Sequence, residues 1–400
     1  MASQRARTGI DIVAEEPGLL DGSRIGLLTN FTGTTRDLGR SVDALVDAGA
    51  PITTLFGPEH GLNGSVQAGE TETSTHDART DLPIVETYLK SGVELDRLIE
   101  DSGVDTVVFD MQDLGVRYYT YVWSLYDCLQ SAARTGVRFV VLDRPNPLGG
   151  AVVSGPGLDV AGFGSFVGRS DVHQRHGLTA GELARLFNTR DLPADGMSAD
   201  LDVIRMTGWD AAEDFDATGL PWVPSSPNMP TLDTAYAFTG TGIFEGTNVS
   251  EGRGTTRPFE MLGAPYVDGR LAARLRDAGI PGVLFREIWF TPTFHKYAGE
   301  TVRGVQLHIV DRSAFDPVST GLAVLDAFAE LYPDRFRFLE PGQRVESGEN
   351  GYAIDRLWGS TALRDAVRAG EPTAALNPGV VRVQDIYGDD VLLYPRVSTV

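Results

Sequence analysis

The chain has 400 residues, 42% hydrophobic and 22% charged, the composition of a folded protein too long for one ordinary core, so two domains are expected. A formal net charge of -21 argues against nucleic acid or an anionic membrane surface as partner. It would also slow anionic substrates unless local arginines reverse the field. The single cysteine, Cys128, excludes an internal disulfide or a cysteine-based metal cluster and reads as a small buried apolar residue. Neither residues 1–16 nor any later stretch carries an apolar run of secretory-signal or membrane-spanning length, so the chain as written is expected in the cytoplasm.

In chain order, residues 24–30 read as a buried strand ending in a polar turn. Leu38, Val42, Leu45 and Val46 then recur at helical spacing. Residues 52–56 form a second strand and 106–110 a third, after an amphipathic stretch at 95–99. Trp123, Tyr126, Leu129 and Ala133 mark another helix, followed by a strand at 137–142. Strand and helix in alternation predict a parallel sheet covered on both faces. Thr179 and Glu182 make a capping box that starts a helix.

The last third reads differently, with neighbouring strands at 283–294 and 301–310. A helix follows through Leu322, Leu325, Phe328 and Tyr332, with Ser319 or Thr320 as its cap. The fold class expected is α/β: a Rossmann-like parallel-sheet domain over residues 1–260, with a smaller α+β domain over 261–400 closing a cleft.

Ligands of open parallel sheets bind beyond the carboxyl ends of the strands. Here those ends are polar: Thr29-Asn30; Gly57-Pro58-Glu59-His60-Gly61; Asp110-Met111-Gln112-Asp113, with Arg117 and Tyr118 soon after; and Asp143-Arg144-Pro145-Asn146. Four such ends are expected to meet in one crevice. Two further polar segments, 224–231 and 245–257, suit a polar ligand better than a core, although long surface turns use the same residues.

Zinc-protease, serine-elbow and phosphate-loop motifs are missing, and His173 and His176 lack a carboxylate at ligand spacing, so they read as a packed pair. Carboxylates, amides, Arg and Tyr remain, the groups that bind hydroxyl-rich sugars and cleave glycosidic bonds. Such cleavage uses one carboxylic acid for the leaving oxygen and a second group on the nucleophilic side. Glu59 suits the acid role because it ends a buried strand after a rigid Gly-Pro. A structural carboxylate capping the next turn would leave the same trace in sequence.

Read together, these motifs resemble one family. They are Gly57-Pro58-Glu59-His60-Gly61 with Ala68-Gly69-Glu70, the run 109–121, and Leu142-Asp143-Arg144-Pro145-Asn146-Pro147. Ser165-Phe166-Val167-Gly168, His176-Gly177-Leu178-Thr179, Ser226-Pro227-Asn228-Met229-Pro230-Thr231 and the run 245–258 complete them. The set is similar to the NamZ-type exo-β-N-acetylmuramidases, densely over 24–266 and more loosely to the C-terminus.

The resemblance implies release of non-reducing terminal N-acetylmuramic acid from peptidoglycan fragments, a muropeptide or MurNAc-GlcNAc saccharide, without a metal or organic cofactor. It places the catalytic acid at Glu59 beside His60. It leaves the nucleophile open: the substrate's own 2-acetamido group is one candidate, with Asp110, Glu245 or Tyr118 in support. Asn30, Glu70, Asp113, Tyr118, Asn146, His176, Asn228, Asn248 and Glu251 are expected to contact saccharide. Arg117, Arg144, Arg253 and Arg257 are candidates for its lactyl carboxylate.

Phe238-Thr239-Gly240-Thr241 and the polar run 169–175 depart from the family pattern and could change the sugar accepted. Two rival readings keep the site: a hydrolase of another amino sugar, and a saccharide-binding module without turnover.

Overall fold

The computed structural model describes residues 5–67, 69–70, 73–343 and 351–396. The N-terminal part carries β1 (Ile25–Thr29), β2 (Ile52–Gly57), β3 (Ile84–Glu86), β4 (Thr106–Asp110) and β5 (Arg138–Leu142). After the short β6 (Val152–Val153) comes β7 (Leu201–Ile204). Six of these form one parallel sheet in the order β3-β2-β1-β4-β5-β7. Strand order therefore reverses between β1 and β4, as in a Rossmann-like fold.

The inner strands are almost wholly apolar because both sheet faces are covered. Leu27, Val108 and Val140 pack on one side with Ile10 and Leu45. Their neighbours Leu28, Phe109 and Phe139 pack on the other with Trp123 and Leu125. Each such side chain contributes about 1.5–3 kcal/mol on burial. The helices Gly92–Ser102 and Tyr121–Thr135 stop at Gly103 and Gly136, whose φ of 65° and 75° suit a residue without Cβ.

The expected strands and the capping box at Thr179 and Glu182 are all present, and Cys128 is buried. The edge strands β3 and β7 escaped the sequence reading because three and four residues give too little periodicity. Leu38 does not join the first helix. The backbone turns at Thr35–Gly39, Leu38 takes φ 67° with its side chain exposed, and the helix starts at Ser41.

The C-terminal part holds an antiparallel sheet of β8 (Met261–Ala264), β9 (Val283–Phe290) and β10 (Val302–Ile309), in the order β8-β10-β9. β9 ends at Phe290, short of the expected 294, since Pro292 has no N–H for the ladder. Residues 292–299 instead form a hairpin loop, with His295 and Tyr297 at positive φ. Helix Pro317–Leu331 is capped by Asp316, not by Ser319 or Thr320, and Pro317 fills its first turn.

Among the described residues, helix packing joins the parts. Helix Leu232–Thr241 lies so close to Pro317–Leu331 that a side chain at Gly240 would collide with the Pro317 carbonyl. Helix Ala353–Trp358 packs on the turn Gly242–Gly246. The chain then returns to the N-terminal part. There β11 (Val381–Arg382) pairs with β6, the Tyr394 hydroxyl donates to Asp143 at 2.6 Å, and Arg396 meets Glu182 at 2.6 Å. No helix among the described residues is long and apolar enough to cross a membrane.

Candidate active site

Glu59, His60, Tyr88, Tyr118, Thr120, Glu245, Arg253 and Arg356 line one cleft, with Phe166, Met229, Phe238 and Phe259 among its apolar walls. β2 delivers Glu59 to it. The turn after β2 closes with Gly61 N–H donating to the Pro58 carbonyl at 2.9 Å, and His60 takes φ 69°, an uncommon conformation for a side chain of this size.

Glu59 is 9% exposed. Tyr88, just after β3, donates its hydroxyl to Oε1 at 3.2 Å, and Thr120 donates to Oε2 at 2.5 Å. Thr120 precedes helix Tyr121–Thr135, so the carboxylate lies toward that helix's positive end. His60 Nδ1 is 3.0 Å from the Val66 carbonyl, which can only accept, so Nδ1 carries the proton. Burial lowers the His60 pKa and the Arg253 charge adds to this, against the opposing pull of Glu59 and the Val66 carbonyl. The imidazole is therefore neutral at neutral pH.

Glu245, in the turn Gly242–Gly246, accepts from Arg253 Nε at 3.0 Å and Nη2 at 2.5 Å. The Arg253 guanidinium also lies 5.0 Å from the Phe259 ring centre and 3.6 Å from Glu251. Glu251 is completely buried. Lys296 reaches it at 2.8 Å and His295 at 3.1 Å, both from the β9–β10 hairpin loop. Burial alone would raise the Glu251 pKa, but Lys296, His295 and Arg253 together hold it well below the carboxylate range. Lys296 also donates to the carbonyls of Phe244 and Val249 at 2.9 and 3.0 Å, pinning the loop that carries Glu245.

The other expected residues lie elsewhere. Asp110 and Arg144 pair with each other at 2.6 and 3.0 Å, and Arg144 also donates to the Thr34 carbonyl. Arg117 is wholly buried and donates to the carbonyls of Pro156, Val172, Leu357 and Trp358. Asp113 accepts from the Gly115 N–H and faces His176 at 3.3 Å, while Asn146 bridges Leu148 and Leu178. Asn30 accepts from Thr32, and Asn248 ties Tyr266 to Arg335 and Arg337.

Asn228 donates to Gln67 beside the cleft, exposed Glu70 accepts from the Gln67 N–H, and Arg257 is half-exposed, 3.4 Å from Glu260. Of the expected site residues, the cleft thus gathers Glu59, His60, Tyr118, Glu245 and Arg253, with Glu251 directly behind them. Tyr118 donates toward the Phe238 and Thr239 carbonyls at 2.9 and 2.6 Å.

Sequence reasoning missed Tyr88, Lys296, His295 and Arg356 as site residues. Tyr88 follows an edge strand that was itself missed. Lys296 had a usable signal: Lys90 and Lys296 are the only lysines among 34 Lys and Arg residues. An ammonium held among the carbonyls of Phe244, Glu245 and Val249 and the Glu251 carboxylate cannot be replaced by a planar guanidinium without moving the loop.

Family models for the N-terminal and C-terminal parts of exo-β-N-acetylmuramidase NamZ match residues 25–233 and 236–384. Peptidoglycan β-N-acetylmuramidase NamZ of Bacillus subtilis (strain 168) is 41% identical over 372 residues, covering 92% of this chain and 88% of that protein. Among solved structures, a DUF1343 family protein from Bacteroides fragilis NCTC 9343 matches at TM-score 0.83 and 30% identity, over 98% of this chain and 99% of that one. A second from the same strain matches at TM-score 0.73 and 25% identity with the same coverage. With both family models in sequence order along a chain that carries their motifs, this protein belongs to the NamZ exo-β-N-acetylmuramidase family.

Proposed function

We propose that the chain is a glycosidase that releases non-reducing terminal N-acetylmuramic acid from peptidoglycan fragments. The observation that carries this is the unequal treatment of two carboxylates in one cleft: Glu59 is held by two neutral hydroxyls and Glu245 by a guanidinium. Pairs set in such different surroundings divide acid and base roles. In this reading Glu59 gives its proton to the departing glycosidic oxygen as the bond from C1 breaks. The substrate's acetamido oxygen attacks C1, and Glu245, fixed by Arg253, supports that group. Water then opens the cyclic intermediate and returns the proton to Glu59.

Neutral His60 accepts a sugar hydroxyl proton at Nε2 and keeps the Glu59 turn in place. Phe166, Phe238 and Phe259 offer aromatic faces to the ring. A chromogenic N-acetylmuraminide, run beside the matching glucosaminide, tests the reading. Selective release from the muraminide is expected. Release from the glucosaminide alone would replace the substrate, and saccharide binding without release from either would make the protein a binding module.

A further inference from the structure

Resting on that reading, we propose that Arg117 is a positioning residue that fixes the Glu245 side of the cleft relative to Glu59. Arg117 is wholly buried behind the cleft, and its guanidinium ties together two segments that border it. Nη1 donates to the carbonyls of Pro156 and Val172 at 2.7 and 2.9 Å. These stand at the two ends of the loop that brings Phe166 and Val167 to the cleft wall. Nη2 donates to the carbonyls of Leu357 and Trp358 at 3.0 and 2.9 Å. Those two residues end helix Ala353–Trp358, where a helix leaves its last carbonyls without internal partners.

Both carboxylates of the cleft connect to this one side chain. Three residues along the chain from Arg117, Thr120 donates to Glu59, and Tyr118 and Tyr119 between them line the cleft. On the other side, helix Ala353–Trp358 packs on the turn Gly242–Gly246 that carries Glu245. A Cβ added at Gly246 would come within 2.7 Å of the Ile354 backbone nitrogen, so the turn has no room to shift toward the helix. Lys296 grips the same turn through the Phe244 carbonyl, but from within the C-terminal part. Arg117 supplies the reference to the N-terminal part, where Glu59 stands.

Burial lowers the Arg117 pKa to about 10, still far above neutral pH, so the fork stays charged. Charged N–H donors bind carbonyls more strongly than neutral ones, and the planar fork reaches acceptors in two directions at once. The Asp159 N–H also donates to the Gly359 carbonyl at 3.0 Å, so the contact between these segments does not rest on Arg117 alone.

The test compares Arg117→Lys with the wild type on two ligands. One is N-acetylmuramic acid, and the other its thiazoline, a mimic of the cyclic intermediate formed when the acetamido group attacks. The wild type is expected to bind the thiazoline roughly a hundredfold more tightly, as an analogue of the reacting state. Arg117→Lys should narrow that preference about tenfold and lower kcat for the chromogenic muraminide by a similar factor, with KM little changed. Arg117→Gln, which loses the charge as well, should narrow it further. Folded variants that keep the wild-type preference overturn the proposal. So do variants that weaken both ligands equally, or loss of folded protein in both, since either makes the role purely structural. A wild type that turns over the muraminide without preferring the thiazoline removes the supporting role of Glu245. The positioning role of Arg117 then falls with it, and the muramidase reading stands. A wild type that releases nothing from the muraminide sinks the muramidase reading itself.

Discussion

Arg144 with Asp110 and Arg253 with Glu245 are both close, largely buried ion pairs in polar loop segments, yet only the second borders the cleft. The first pair sits where strand order reverses between β1 and β4, the usual ligand position in a Rossmann-like sheet. Here that position is closed by its own residues. Asp110 takes both arms of Arg144, Thr34 takes a third donor, and Gln112 donates to the Asp113 and Pro145 carbonyls. The cleft that carries the proposed chemistry lies one strand over, at the end of β2, where the opposite wall comes from residues 238–259 and helix Ala353–Trp358. A polar strand end is therefore a binding site only when its partners are not already supplied by the protein.

The sharpest break of this comparison is Glu59→Gln. The amide fills the same space, accepting from one of the two hydroxyls of Tyr88 and Thr120 through its oxygen and donating to the other through its NH2, but it has no acid proton to give. Turnover of the muraminide should fall about a thousandfold, with melting nearly unchanged. Retained turnover would move the acid role to Glu245. Asp110→Asn should do the opposite. It strands a buried guanidinium, costs about 3–5 kcal/mol of stability, and leaves the kcat of the folded fraction near normal. Loss of kcat with unchanged melting would return Asp110 to the catalytic group.

Lys296→Met probes the hub behind the cleft. It leaves Glu251 without its nearest cation and the loop carrying Glu245 without a clamp. Because Arg253 is shared by Glu245 and Glu251, the Glu245 carboxylate should lose its fixed position. We expect kcat to fall roughly ten- to a hundredfold with KM little changed, since a small misplacement of a reacting group costs about that much. Lys296→Arg should rescue it poorly, having a fork where four converging acceptors need a compact ammonium. A defect confined to melting temperature would make Lys296 purely structural.

Much of the fold was legible because inner parallel strands are continuous apolar runs, and β1, β2, β4 and β5 stood where those runs predict. What escaped was short or set by one backbone angle: the edge strands β3 and β7, the turn at Leu38, and the hairpin loop after β9. Glu59, Glu245 and Arg253 were legible as polar residues in glycine-rich loops. Arg117, Asn146 and His176 looked the same in sequence, because a side chain bonded to buried carbonyls and one facing a sugar use the same chemistry. Only the three-dimensional partner tells them apart. Arg356 was hidden for the converse reason, lying on a short helix with an ordinary pattern.

The smallest effect expected concerns Asp143, at the end of β5 on the closed side. Burial lifts its pKa from 3.8 to about 6, although the Tyr394 hydroxyl, the Gly181 N–H and the Thr179 hydroxyl all donate to it. Between these two values the folded chain holds a proton that the unfolded chain has released. The stability from this group is therefore full below pH 3.8 and is lost as pH rises through about 6. Asp143→Asn keeps the shape but cannot titrate. The melting temperature of the wild type should then fall relative to the variant by a few degrees between pH 4.5 and pH 7. A difference that stays constant or grows in favour of the wild type would mean that the hydroxyl and N–H donors outweigh burial. Asp143 would then be held as a carboxylate throughout, like Glu251, and the closed side would share the electrostatics of the cleft it contrasts with.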